Sequence, residues 1–388
     1  MSRAVKLGLL GMALAVLALF ISLPPLHVRS PVPSWLICAG GVALGVLALR
    51  DGERRAGWGA IGAGLLAGVL AWGATRSGVG NLERVFAWGA LTAAMLRYAT
   101  PLVFGALGGL VSERAGVVNI GLEGMMLMGA FFGAYGADKT GSWLGGLIIG
   151  IFAGCALAAI HAVFSVSLQA DQIVSGTALN FVALGVTGYF YVDIYGDQGT
   201  PDNLAAVPDI DLQISSLGYF GDAIGHLNLL VWLSLATVAL VWFLVFRTPG
   251  GLRLRSVGEN PKAAETVGIN VYRTRYIAVI ASGGLAAAGG AYLSIGFVHS
   301  FTQNMVAGRG FIALAALIAG RWKPVATLSI ALLFGFFSAL AQRLPVFSPS
   351  AATLFQALPY VVTLIAVAGV VGRSIPPAAD GVPYKREA

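Results

Sequence analysis

The chain has 388 residues, of which 57% are hydrophobic and 11% charged, and its mean hydropathy is +0.82, a composition that no water-soluble globular class has. The formal charge of +7 sits in short loops and tails, where Lys and Arg set orientation in a bilayer, so it argues against nucleic acid as a partner. What composition leaves is an all-α polytopic protein in contact with lipid, its 53 glycines suited to close helix packing.

The N-terminal run carries Arg3 and Lys6 before an apolar stretch, as a signal peptide does. No small-x-small cleavage site closes it and Pro24 and Pro25 follow, so an uncleaved first span is expected. Further spans are predicted at about 34–49, 58–74, 87–110, 116–137, 142–168, 173–191, 226–246, 276–297, 306–320, 325–341 and 352–371, about twelve with the first at 5–22. Segment 306–320 is short for a crossing and 173–191 is rich in glycine, so either suits a broken or re-entrant helix. Cys38 and Cys155 lie inside apolar runs and read as small hydrophobes rather than as a disulfide pair.

Charge then orients the spans. No Lys or Arg occurs between Lys139 and Arg247, while loop 193–225 carries Asp197, Asp202, Asp209, Asp211 and Asp222; that loop is expected outside. Loop 247–275 holds Arg247, Arg253, Arg255, Lys262, Arg273 and Arg275 against Glu259 and Glu265. It is expected in the cytoplasm, with both termini. The count leaves Arg76, Arg84 and Arg343 on the outer side.

Two stretches carry chemistry. In 112–137, SERAGVVNIGLEGMMLMGAFFGAYGA, Glu123 falls roughly 12 Å into the hydrocarbon if the bilayer begins near Ala115, with Asn119 one turn before it. An ionised group at that depth costs about 3 kcal/mol and marks either a pathway or a structural pair. Arg97 in the preceding span is the candidate partner of Glu123; otherwise 81–98 is an interfacial helix from which Arg97 snorkels. Gly308, Arg309 and Gly310 open an apolar run that crosses in the opposite sense, so inverted repeats with helices broken near the midplane are expected. The second stretch, 251–275, is too polar to span. Asn260 suits a helix N-cap, Pro261 its first position and Gly268 its stop, which gives either a docking element or a connector on lipid headgroups. Asp171, Gln172, Ser175, Thr177 and Asn180 make a further polar cluster. His27, His161, His226 and His299 have no metal-like spacing and, near span ends, are expected at the interface.

At PLVFGALGGLVSERAGVVNIGLEGMMLMG (101–129), ADQIVSGTALN (170–180), RTPGGLRLRSVGENPKAAETVGINVYRTRYIAVIASG (247–283), AGRGFIALAALIAGRWKP (307–324) and PYVVTLIAVAGVVGR (359–373) the chain resembles the permease subunits of nucleoside-type ABC importers, within the larger branched-chain amino acid and ribose group. The resemblance covers roughly 84–384. It divides the chain into extra N-terminal spans at 1–80, a permease domain at 81–372 and a cytoplasmic tail at 373–388. It implies a pore built as a heterodimer with a second homologous permease subunit, with ATP bound on separate ATP-binding subunits and a substrate-binding lipoprotein outside.

 The bacterial cytoplasmic membrane is the implied location, and a neutral nucleoside the implied cargo. The chain contains no GxxxxGK[ST] phosphate loop, so ATP binding by that means is not expected of it. Lys262, Ala263, Ala264 and Gly268 resemble the Glu-Ala-Ala-x-x-x-Gly coupling motif of ABC permeases, with Lys262 where Glu is usual. ATPase coupling is therefore expected at Gly258, Glu259, Asn260, Pro261, Lys262, Ala263, Ala264, Glu265 and Gly268. The translocation pathway is expected at Asn119, Glu123, Met126 with its neighbours Met125 and Met128, Asn180, Phe181, Arg309 and Phe311. No catalytic or metal site is expected. Two other readings stay open: the same machinery carrying a sugar or branched-chain amino acid, and an ion-coupled secondary transporter with Glu123 as its ion site.

Overall fold

The structure, a computed structural model, describes residues 2–24, 26–201, 204–365 and 374–385. Its helices are α1 (Arg3–Ser22), α2 (Val32–Arg50), α3 (Arg54–Arg76), α4 (Val79–Val85), α5 (Trp88–Glu113), α6 (Leu122–Thr140), α7 (Trp143–Ala162), α8 (Gln172–Tyr195), α9 (Tyr219–Ile224), α10 (Leu229–Arg247), α11 (Pro249–Glu259), α12 (Pro261–Thr266), α13 (Val271–Ala291), α14 (Arg309–Ala319), α15 (Pro324–Arg343), α16 (Ala352–Gln356) and α17 (Leu358–Ile365). A π-helical turn ends α7 at Val163–Ser167 and α13 at Tyr292–Val298. Among the described residues, strand is confined to an antiparallel ribbon of β1 (Asp209–Asp211) and β2 (His226–Asn228), with Ile210 opposite Leu227.

Among the described residues nine helical stretches are long and apolar enough to cross a membrane, and the chain is a multi-pass, all-α membrane protein. The departures from the predicted spans have local causes. α6 begins at Leu122 rather than near residue 116, because 117–119 is non-helical and the helix forms only beyond it. α14 has 11 residues and is the short segment foreseen. α8, for which a break was considered, is one helix of 24 residues. Segment 81–98 is not one interfacial helix: α4 ends at Val85, and α5 then runs unbroken through Pro101 for 26 residues. Of the predicted span 352–371, α16 and α17 are seen as far as Ile365. Its end at Val371, the start of the tail at Arg373 and Asp202 in the long loop lie outside the described residues.

The chain forms two compact units. One comprises Met1–Leu91 with Gln342–Phe355, the other Thr92–Ala341 with Gln356–Ala388. In the first, α1, α2 and α3 meet along stripes of small residues three or four apart, such as Gly8, Gly11 and Ala15 on α1 and Cys38, Gly41 and Gly45 on α2. Lipid gives apolar helices no hydrophobic reason to associate, so close backbone approach supplies the attraction. The larger apolar side chains turn outward, Val16 and Leu36 each being 69% exposed.

In the second unit, α6, α7 and α13 form the centre, and Phe131 of α6 meets Phe301 edge-on at 5.2 Å between ring centroids. Leu102 and Leu107 of α5, Val241 of α10, Ile312 and Leu317 of α14 and Phe334 of α15 form a second apolar cluster. Along α5, a Cβ at Gly105 would face Ala313 and Met126, and one at Gly109 would face Leu317 and Leu122. α14 therefore advances as α6 recedes, and the two run in opposite directions.

Candidate functional site

Between α5 and α6 the chain crosses residues 114–121 largely without helix hydrogen bonds. Backbone of this kind survives at membrane depth only when other groups satisfy it. Side chains from three helices do so. Ser112 Oγ donates to the Val117 carbonyl at 2.7 Å, and Gln172 Oε1 accepts from the Val118 N–H at 2.7 Å. His161 Nε2 lies 3.1 Å from the Val118 carbonyl while its Nδ1 lies 3.2 Å from Ser175 Oγ. Asn180 serves both sides of the break, accepting from the Gly124 N–H at 2.8 Å and donating to the Ile120 carbonyl at 3.0 Å. Asn119, fully buried, donates to Ser282 Oγ of α13 at 2.9 Å.

The second break precedes α14. The first N–H groups of a helix have no partner within it and carry partial positive charge, so they favour an anion. Glu123, in the first turn of α6, supplies one: Oε1 accepts from the Gly308 N–H at 2.7 Å and Oε2 from the Gly310 N–H at 2.6 Å. The N-termini of two oppositely running helices thus meet through one carboxylate. Gly310 permits the approach, since a Cβ there would lie 2.5 Å from Glu123 Cα. Gly308 enters α14 with φ +84°, in the left-handed region that glycine tolerates. The rest of the entry is held at a few points: the Phe301 N–H donates to Thr200 Oγ1 at 3.0 Å, Arg309 Nη1 donates to the Met305 and Val306 carbonyls at 2.8 and 2.9 Å, and Tyr360 donates to the Ala307 carbonyl at 3.0 Å.

The hairpin of α11 and α12 lies against the first break. Asn260 caps α12 through the Ala263 N–H at 3.0 Å, Pro261 takes the first helical position, and Gly268, at φ +84°, stops the chain beyond the helix. Ala264 packs inward with Val257 and Val271, leaving Lys262, Ala263, Thr266 and Val267 exposed. Gly258 rests on the backbone of 114–116, where any Cβ would overlap the Arg114 carbonyl.

Residues 91–367 match the family described as branched-chain amino acid transport system / permease component. The chain belongs to this permease family. It is 41% identical over 307 residues to the guanosine ABC transporter permease protein NupQ of Bacillus subtilis, covering 75% of this chain and 95% of the relative. It is 40% identical over 304 residues to the nucleoside ABC transporter permease protein NupC of Lactococcus lactis, again covering 75% and 95%. To the putative glucose ABC transporter permease protein TsgC13 of Haloferax volcanii it is 39% identical over 250 residues, 64% of this chain and 76% of the relative. Both bacteria also hold a more distant relative named as a permease of the same kind of transporter, 23% identical over 266 residues in B. subtilis and 26% over 245 in L. lactis. No solved structure matches.

Within the permease the candidate residues separate by environment. Asn119, Glu123 and Asn180 gather at the two breaks, each engaged by backbone or side-chain partners. Met126 is fully buried between helices. Phe181 on α8 and Phe311 on α14 are 69% and 48% exposed, and Arg309 is half-buried over its own entry turn. The expected pair of Arg97 with Glu123 is not formed: Arg97 donates to the His226 carbonyl at 2.9 Å, and the helix N-terminus takes its place beside the carboxylate. His161, expected at an interface, is fully buried. Its spacing to Ser165 on the same helical face was the available signal, but its true partner, the Val118 carbonyl, belongs to a segment that reads as helix in sequence.

Proposed function

We propose that this permease is one of two pore-forming subunits of an ABC importer for nucleosides in the bacterial cytoplasmic membrane, with both of its termini in the cytoplasm. The observation that carries the reading is the 40–41% identity over 95% of the length of relatives named for guanosine and nucleoside transport. The second permease of the pair is a homologous but different chain, as the paired relatives of two bacteria suggest. ATP binds to separate ATP-binding subunits, this chain having no ATPase site of its own, and an external substrate-binding lipoprotein delivers the nucleoside.

In this reading the exposed face of α12, from Lys262 to Val267, docks an ATP-binding subunit. Gly258 seats this hairpin on residues 114–116, at the fixed approach to α6, and Glu123 in the first turn of α6 joins that wall to the start of α14, which moves. Glu123, Asn119, Met126 and Asn180 build the wall of the gate, while Arg309, Phe181 and Phe311 present a cation and two aromatic faces to the route, which suits a neutral base and sugar. The likeness to a glucose-named relative keeps a sugar as the second reading.

The test is the complex in proteoliposomes. Copurification with an ATP-binding subunit, guanosine uptake that requires ATP, and hydrolysis stimulated by the loaded lipoprotein are expected. Gly268→Trp, which places a bulky side chain at a φ of +84°, is expected to uncouple hydrolysis from uptake. Glucose uptake with no guanosine uptake would move the cargo to sugars, and ion-driven uptake by this chain alone would overturn the importer reading.

A further inference from the structure

The segment 374–384 touches the elements that the proposed mechanism moves. At one end Ser374 Oγ donates to the Ile318 carbonyl in the last turn of α14, at 2.7 Å. Further on it fastens to the α11–α12 hairpin: the Ala378 N–H donates to Glu259 Oε2 at 3.2 Å, the Ala379 N–H to the Gly258 carbonyl at 2.9 Å, and the Tyr384 hydroxyl to the Glu265 carboxylate. Buried Arg275 of α13 donates to the Val382 carbonyl at 3.1 Å. Ala379 O also lies 3.0 Å from where a Cβ on Gly116 would stand, so the segment passes over the entry to α6.

Between the α14 contact and the hairpin contacts stand Pro376 and Pro377. Their rings fix φ and favour an extended, stiff chain, so the four steps of chain from Ser374 to Ala378 act as a spacer of roughly 12 Å. Hydrophobic burial helps only at the hairpin end, where Ala379 and Tyr384 are 7% and 6% exposed and Tyr384 packs with Val257, Ala264 and Val271, while Ile375 and Val382 stay 73% and 53% exposed. At the α14 end the stiff spacer is held by the Ser374 hydrogen bond.

We infer that segment 374–384 is a transmission strap, a proline-stiffened tie that carries displacement of the α11–α12 hairpin to the far end of α14. The inference rests on the reading above that the hairpin receives the ATP-binding subunit. It makes Ser374, Pro376, Pro377 and Tyr384 positioning residues for transport, acting through the hairpin and α14 rather than on the substrate.

The test uses the full chain with Pro376→Gly/Pro377→Gly, which loosens the spacer and keeps its hydrogen-bonding groups, and separately Tyr384→Phe, which removes the tie to Glu265. In the assembled complex, uptake per ATP hydrolysed is expected to fall about fivefold for the double variant and about twofold for Tyr384→Phe, with complex yield and hydrolysis near those of the parent. In the isolated chain, hydrogen exchange at 318–323 is expected to rise in both variants, by about fivefold in the double one. Unchanged exchange and unchanged uptake per ATP would overturn the strap, as would equal losses of yield, hydrolysis and uptake, which describe a plain anchor. A parent complex without ATP-driven uptake would instead defeat the importer reading, and the exchange measurement alone would then decide the strap.

Discussion

The two breaks in the second unit solve the same problem differently. At the entry to α6, Ser112, His161, Gln172 and Asn180 reach in from three helices, and Ser112, Asn119 and His161 are fully buried. At the entry to α14, residues 302–304 are exposed, Asn304 and Ala307 hold φ of +57° and +48°, and Arg309 binds its own preceding turn. The first entry is locked into neighbouring helices by buried polar side chains, whereas the second, beyond the buried Phe301 and Val306, is held by Glu123, Thr200 and Tyr360 from outside and by Arg309 from within. Backbone that is lightly tied and strained is the backbone able to adopt a second arrangement. In the proposed importer α14 is therefore the moving half of the gate and α6 the fixed half.

Glu123→Ala is expected to have the largest effect, because it strips the acceptor from two N–H groups at the junction. Stability should fall by about 3 kcal/mol, and uptake should be lost even from the surviving protein. Glu123→Gln, which keeps one good acceptor, should fall between this variant and the parent in both melting and uptake assays. Asn180→Leu comes next and separates the two halves: it removes two hydrogen bonds from the fixed entry and should cost about 2 kcal/mol in thermal stability, with uptake per ATP near the parent value. A large loss of coupling in Asn180→Leu with unchanged melting would reverse the assignment of fixed and moving halves.

Arg309→Gln should act the opposite way. It releases two carbonyl contacts of the α14 entry, costing about 1 kcal/mol in melting but lowering uptake several-fold. The smallest effect is in the tail. Burial pushes the Asp380 carboxyl up to about 7 from an ordinary 3.8, against the pull of Arg275 and the Gly381 N–H. The folded chain thus keeps a proton that the unfolded chain releases, so this group's contribution to stability is full below pH 3.8 and is lost as pH rises through 7. The melting temperature should decline slightly between pH 5 and 8 in the parent and less in Asp380→Asn; equal slopes would remove Asp380 as the cause.

Much of this architecture is legible in sequence. Hydropathy places most of the helices, and Asn260, Pro261 and Gly268 mark α12 by local rules of capping and termination that need no tertiary context. The opposed pair of glycine-bearing entries at 112–121 and 308–310 is also visible. The partner of Glu123 is not. Depth singled out Arg97 because a buried carboxylate suggests a cation, yet the hydrogen bonds come from a helix N-terminus, which no charged letter marks, and the cation that attracts Glu123 is Arg309, distant in sequence. The partners of Asn180 and His161 were hidden for a related reason: they include main-chain groups of 117–124, and side-chain identity says nothing about which backbone lacks a bond.

The most direct test of a fixed α6 and a moving α14 is a pair of reversible locks in a chain carrying Cys38→Ala and Cys155→Ala. Gly105→Cys with Ala313→Cys joins α5 to α14, where the Cβ positions lie 3.0 Å apart, and Gly133→Cys with Ala291→Cys joins α6 to α13, at 3.1 Å. With each disulfide verified by mass, oxidation of the α5–α14 pair should lower ATP-driven uptake at least about tenfold and reduction should restore it, while the α6–α13 pair should transport alike in both states. Full uptake through an oxidised α5–α14 lock would contradict the account.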